Sequence, residues 1–115
     1  NKNQIILWGD GTPKREVIYV DDIADACIHF MKKKIKETLI NIGTGKDYSI
    51  KEYANIISSR INPKIRLKIK FDKTKPNGTP KKVLDVSLAR KYGWRAKTKL
   101  EEAIDKTYLD YLSKI

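Results

Sequence analysis

Hydrophobic and polar positions follow two rhythms along this chain, and between them they predict a mixed α/β order. Ile5–Trp8 is a short continuous apolar run and predicts a buried strand. Gly9-Asp10-Gly11-Thr12-Pro13 predicts a turn, and Glu16–Val20, rich in β-branched and aromatic residues, predicts a second strand. Asp21-Asp22 predicts a helix cap, with Ile23, Cys27, Phe30 and Met31 on one apolar face and Lys32-Lys33-Lys34 at the far end. Thr38–Ile42 predicts a strand ended by Gly43-Thr44-Gly45. Ser49 and Glu52 have the spacing of a capping box, followed by a helix with Ile50, Tyr53, Ala54, Ile57 and Ile61 on its apolar face and Asn62-Pro63 as its stop.

Beyond that stop, Arg66–Phe71 alternates apolar Leu67, Ile69 and Phe71 with Lys68 and Lys70, the period of a half-buried strand. A polar loop over residues 73–82 follows, in which Asn77-Gly78 supplies a tight turn with positive φ. A short helix is expected at about Val86–Tyr92, ended by Gly93. Thr98 and Glu101 suggest a second capping box before a helix with Leu100, Ala103, Ile104, Tyr108, Tyr111, Leu112 and Ile115 on one face. The predicted order is β-β-α-β-α-β-α-α, with the first helix placed as a crossover between two strands.

Composition narrows the class. The 115 residues fit one domain, and 40% hydrophobic with 34% charged residues is a globular balance. No apolar run approaches the roughly 18 residues of a membrane span, so no membrane association is expected. The single cysteine, Cys27, cannot form an internal disulfide, and a cytoplasmic setting is expected. Asn1 is not a starting methionine, and the expectation is a chain that begins part-way through a longer one. The net charge of +11 suits nucleic acid, anionic lipid or a phosphorylated small molecule, or reflects a lysine-rich surface. The basic strand near residue 68 carries Leu67 and Ile69 where a nucleic-acid platform would carry aromatic residues, which argues against a small basic nucleic-acid-binding module. A pure interaction domain is a third class left open.

Complete catalytic sets are absent from the sequence. Gly43-Thr44-Gly45 is followed by Asp47 and Tyr48 where a dinucleotide fingerprint needs more glycine, so a turn is expected. Cys27 and His29 point about 200° apart on a helix and cannot pair. Cys27 is expected in the core and His29 half-exposed. One His and one Cys cannot fill a zinc site. Two segments suit an anion or nucleotide. Trp8 beside a glycine-rich turn offers a flat face, and Arg15 offers a guanidinium fork for phosphate oxygens. The lysine-flanked loop Lys75–Lys82 is stiffened by two prolines. A buried Trp with a surface Arg, and a plain solvated loop, remain open for these two segments.

The runs from Trp8 to Asp22, Asn41 to Glu52, Lys75 to Lys82, and Leu84-Asp85 with Gly93-Trp94 resemble the extended short-chain dehydrogenase/reductase family, in its GDP-L-fucose synthase branch, along essentially the whole chain. The resemblance implies a C-terminal substrate-binding domain over residues 1–115, a mixed α/β small domain without the main Rossmann domain. The parent enzyme would epimerise GDP-4-keto-6-deoxy-D-mannose at C3 and C5 and reduce C4 with NADPH. The NADP site and all catalytic residues would lie in an N-terminal part outside this chain, which alone would be inactive. Trp8 and Arg15 would contact the GDP-sugar, with Arg15 on the diphosphate, while Asn77, Lys81 and Lys82 would line the other substrate loop. A homodimeric parent is implied. The branch usually has Asp at the place of Asn77 and often Arg-Lys at Lys81-Lys82, so another GDP-keto-sugar, such as a GDP-heptose derivative, is the alternative substrate. The apolar faces that the parent's main domain would cover would be exposed in these residues alone.

Overall fold

The structure, a computed structural model, describes residues 3–65 and 67–115. Its elements in chain order are β1 (Gln4–Trp8), β2 (Lys14–Arg15), α1 (Val20–Met31), β3 (Tyr48–Ser49), α2 (Ile50–Ile61), β4 (Lys68–Asp72), β5 (Lys81–Lys82), α3 (Ser87–Lys91) and α4 (Leu100–Leu112). β1 and β4 pair in parallel, from Gln4 opposite Lys68 to Trp8 opposite Asp72. The second sheet has the order β3-β2-β5, with β2 antiparallel to β3 and parallel to β5. The apolar run and the alternating run therefore find each other, and Ile69 and Phe71 are half-buried while Lys68 and Lys70 are exposed, as the alternation requires. The expected burial of Ile5–Trp8 is not found: Ile5, Ile6 and Trp8 are exposed in a sheet of only two strands. Of the predicted Arg66–Phe71 strand, Arg66 lies outside the described residues.

Several expectations are corrected. Glu16–Val20 is not a strand: the ladder ends at Arg15 and α1 begins at Val20. Its apolar residues are placed by packing, with Ile18 against the core. Asp21 and Asp22 do not cap α1. The N-cap is Tyr19, without a side-chain cap bond, and both aspartates lie in the first turn, where their charge suits the helix dipole. Asp22 is buried and accepts a hydrogen bond from the Thr98 amide at 3.0 Å.

The buried stripe of α1 runs through Asp22 and Ala26 with half-buried His29 and Phe30, so Ile23 and Met31 are exposed. Cys27 is exposed, not in the core, because the stripe is rotated by one position. Thr38–Ile42 is not a strand: among the described residues it has no ladder partner, and Ile40 and Ile42 pack on the core instead. The third strand is Tyr48–Ser49, and because it runs antiparallel to β2, α1 is not the crossover of a parallel pair. β5 was not anticipated. At the last helix the N-cap is Lys99, one residue later than the sequence suggests, so Thr98 makes no capping box.

The capping box of α2 forms as expected, with Ser49 Oγ accepting from the Glu52 amide at 3.1 Å and Glu52 Oε2 accepting from the Ser49 amide at 2.6 Å. A small core of Ala26, Ala89 and Trp94 gathers Ile18, Phe30, Ile40, Ile42 and Ala96. Trp94 Nε1 donates to Asp25 at 2.9 Å, so the buried indole leaves no donor unpaired. α2 packs on α4, and the Arg60 guanidinium grips both oxygens of Asp105.

The radius of gyration is 17.0 Å, where a compact chain of this length has about 13 Å. The slab measures 55 × 34 × 19 Å, and α4 buries none of its residues. An apolar groove of about 1020 Å³ consequently opens between α2, α4 and the Val17–Val20 segment.

Candidate functional site

The two loops singled out by sequence are brought together. Trp8 ends β1, and its ring is 70% exposed. The Lys75 ammonium sits 5.6 Å from the ring centroid, within reach of a cation–π contact. Gly9 follows with φ +79°, the left-handed region. A methyl group at Gly9 would come within 2.2 Å of Asn77 Oδ1, so only glycine allows the two loops to approach this closely. Asn77 Oδ1 accepts from the Asp10 amide at 2.8 Å and joins the loops directly. Asp10 Oδ1 in turn accepts from the Thr12 amide at 2.9 Å and from its hydroxyl at 2.6 Å. Those Thr12 bonds, with the Asn77 side chain adding to them, hold the Asp10 carboxyl down at a pKa of about 2.

Arg15 is the centre of the arrangement. Its Nη1 donates to the Thr79 carbonyl at 2.6 Å and to the Lys14 carbonyl at 2.7 Å. The guanidinium is thus fixed against the second loop, beside Gly78, whose φ is +75°. The Arg15 carbonyl accepts from the Tyr53 hydroxyl at 2.9 Å. Burial pushes the Tyr53 phenol up from its ordinary pKa, so it stays a donor over the physiological range.

The parallel register sets Arg15 beside Lys82 and Lys14 beside Lys81. Successive strand residues face opposite sides, so Arg15 and Lys82 share one face and Lys14 and Lys81 the other. Lys81 lies 3.6 Å from Asp47 Oδ2, a buried oxygen with no hydrogen-bond partner among the described residues. All five expected residues, Trp8, Arg15, Asn77, Lys81 and Lys82, therefore lie in the two joined segments 8–15 and 77–82, four of them on the short strands and Asn77 on a loop, but the two lysines have different surroundings.

Glu16 is the residue that sequence reasoning missed. Its Oε1 accepts from the Thr44 amide at 2.5 Å, the Gly45 amide at 2.8 Å and the Thr44 hydroxyl at 3.2 Å. Its Oε2 accepts from the Leu84 amide at 2.7 Å. A lone carboxylate heading the apolar run Val17–Val20 was the available signal. The same bonds decide the character of Gly43-Thr44-Gly45: the amides a pyrophosphate would take are already filled. That loop is therefore a turn held by Glu16.

His29 Nε2 donates to the Tyr92 carbonyl at 2.9 Å and makes no pair with Cys27. Among the described residues no three His, Cys, Asp or Glu side chains converge to hold a metal ion, and no helix is long and apolar enough to cross a membrane. The apolar groove contains none of the five loop residues, and its lining suits side chains better than phosphate.

Comparison with known proteins matches this architecture. Residues 1–43 match the NAD dependent epimerase/dehydratase family, and the fold is that of part of an extended short-chain dehydrogenase/reductase. Within that class, the chain is 39% identical to the GDP-L-fucose synthase of Escherichia coli (strain K12) over 121 aligned positions, covering 97% of this chain and 37% of that protein. Among solved structures, a GDP-6-OMe-4-keto-L-xylo-heptose reductase from C. jejuni superimposes with a TM-score of 0.87 at 31% identity, covering 99% of this chain and 35% of that one. A GDP-D-glycero-L-gluco-heptose synthase from Campylobacter jejuni, determined in the presence of NADPH, gives 0.83 at 33% identity, covering 96% and 34%. The chain spans about a third of the length of the curated relatives it matches.

Proposed function

We propose that this chain is the GDP-sugar-binding part of an NADPH-dependent epimerase/reductase that converts GDP-4-keto-6-deoxy-D-mannose to GDP-L-fucose. The observation that carries the proposal is the joining of two loops that place Arg15, Lys82 and Asn77 around one surface beside exposed Trp8. A guanidinium and an ammonium on one face match the charge of a diphosphate, and an open indole matches a base or sugar ring. The relatives' names supply the nucleotide and the reaction class. In this proposal Arg15 and Lys82 bind and orient the diphosphate, Trp8 and Asn77 shape the wall beside it, and NADP and the acid–base residues are held outside these 115 residues. The chain alone is accordingly proposed to be inactive.

The test uses the full-length protein. Hydrogen bonds to charged groups contribute about 1.5–3 kcal/mol, so Arg15→Ala should weaken GDP-sugar binding roughly ten- to a hundredfold, with Arg15→Lys recovering part. The loss belongs in KM, since a diphosphate remote from the reacting carbons is held equally in ground and transition states. An unchanged KM in a folded Arg15→Ala variant refutes the assignment. A GDP-keto-heptose is the second substrate candidate, supported by the two Campylobacter enzymes above. Turnover of the two GDP-sugars side by side decides between them.

A further inference from the structure

We infer that Glu16 is a positioning residue for the diphosphate surface, the carboxylate that holds Arg15 and Lys82 on one rigid face. The inference rests on the proposed diphosphate role of Arg15. Glu16 does not touch substrate in this scheme. A carboxylate has about four acceptor sites, and four donors from Thr44, Gly45 and Leu84 already occupy Glu16. Its negative charge would also repel a phosphate. What it does is join three segments: the chain just beyond β2, the Gly43-Thr44-Gly45 loop, and the chain just beyond β5.

That junction matters because the strands carrying the cations are minimal. β2 and β5 pair over only two residues each, and so short a ladder is marginal by itself. Glu16 extends the tie past Lys82 through the Leu84 amide, with a charge-assisted bond about twice as strong as a neutral one. On its other side it anchors the strand to a glycine-lined loop. A methyl group at Gly43 would lie 2.3 Å from Glu16 Oε1, so the loop approaches the carboxylate closely enough to require glycine there. Without the tie, β5 can move relative to β2, and Lys82 with it relative to Arg15.

The experiment uses the full-length protein and two independent perturbations. Glu16→Gln keeps the shape but puts an NH2 group against an amide donor. Gly43→Ala leaves Glu16 intact and displaces its carboxylate. Both should raise the Kd for GDP and the KM for GDP-sugar about tenfold, leave kcat and NADPH affinity within about twofold, and speed hydrogen exchange at the Leu84 amide. In an Arg15→Ala/Lys82→Ala background, Glu16→Gln should add less than about twofold, because both residues it positions are gone. Normal GDP affinity in both variants, or an effect that multiplies fully with that of the Arg15→Ala/Lys82→Ala pair, overturns the inference. If Glu16→Gln does not fold, Gly43→Ala and Glu16→Asp carry the same two readings. Unaltered binding in Arg15→Ala would instead remove the diphosphate assignment itself, whereas impaired Arg15→Ala with normal Glu16→Gln and Gly43→Ala removes only the positioning role.

Discussion

Replacing Gly9 with alanine should open the junction between the two loops. Two costs add. Gly9 has φ +79°, and a side chain in that region costs about 1–2 kcal/mol. The new methyl would also meet Asn77 Oδ1 at 2.2 Å and Asn77 Cα at 3.2 Å. Oδ1 is the end of a side chain and can swing away, but doing so breaks its 2.8 Å bond to the Asp10 amide. An exposed bond of this kind contributes about 0.5–1.5 kcal/mol. The expected destabilisation is about 1.5–3.5 kcal/mol, read by urea unfolding of the full-length protein. A double-mutant cycle separates the parts. In an Asn77→Ala background the bond is already lost, so Gly9→Ala should then cost only the backbone strain, about 1–2 kcal/mol. GDP affinity should fall in every member of the cycle. A Gly9→Ala cost under about 0.5 kcal/mol, or fully additive effects with Asn77→Ala, would refute the close approach as the reason for glycine at this position.

Lys82→Ala should weaken GDP binding about tenfold while Lys81→Ala changes it less than about threefold, by calorimetry at low salt, since only Lys82 shares a face with Arg15. Tyr53→Phe should lower stability by about 0.5–1.5 kcal/mol in urea, as the Arg15 carbonyl loses its donor. The Asp10 carboxyl is lowered from 3.8 to about 2 by its bonds to Thr12. Its stabilising contribution is therefore complete above the unfolded value and is lost as pH falls through the folded one. The melting-temperature difference between wild type and Asp10→Asn should be constant above pH about 5 and shrink from about 4 towards 2. A difference that is flat throughout contradicts the Asp10–Thr12 bonding.

Local signals in the sequence translated directly where the chain decides its own conformation. The α2 capping box, the alternation of Ile69 and Phe71 and the short helix before Gly93 all depend on neighbours in sequence, and all form; Gly78 takes the expected positive φ, but the turn of that loop lies at Lys73-Thr74 and not at Asn77-Gly78. Errors arose where long-range packing chose between equal local options. Thr38–Ile42 has strand composition, but a strand needs a ladder partner, and Ile40 and Ile42 find the Trp94 core instead. On α1, Ile23 and Ala26 are both apolar. Which faces inward is set by the Trp94 and Ala89 surface, so the stripe turns and Cys27 comes out. The five proposed site residues stand out in the sequence because they lie in or beside segments rich in glycine, proline and charge. Glu16 stands out only weakly, because its contacts with Thr44, Gly45 and Leu84 are distant in sequence.

Those same contacts explain how a slab with so little core can present a defined polar surface. Trp94 and its two alanines bury one end of the chain, while the segments carrying Trp8, Arg15 and Asn77 lie outside that cluster. Their geometry comes from hydrogen bonds between segments: Asp10 to Asn77, Arg15 to Thr79, Tyr53 to Arg15 and Glu16 to Leu84. Each is modest alone, but three of them join the 8–16 segment to the 77–84 segment at successive points along both, and the fourth ties Arg15 to α2. Slippage at one point strains the next, so the set acts cooperatively. Arg15 keeps part of its fork on backbone carbonyls and is thereby pre-oriented, which lowers the entropy lost when an anion binds. On the proposed binding mode, two tasks are separated on one face of the fold: the glycines and the Glu16 carboxylate fix the distance between the loops, and Arg15 and Lys82 are left to meet the diphosphate.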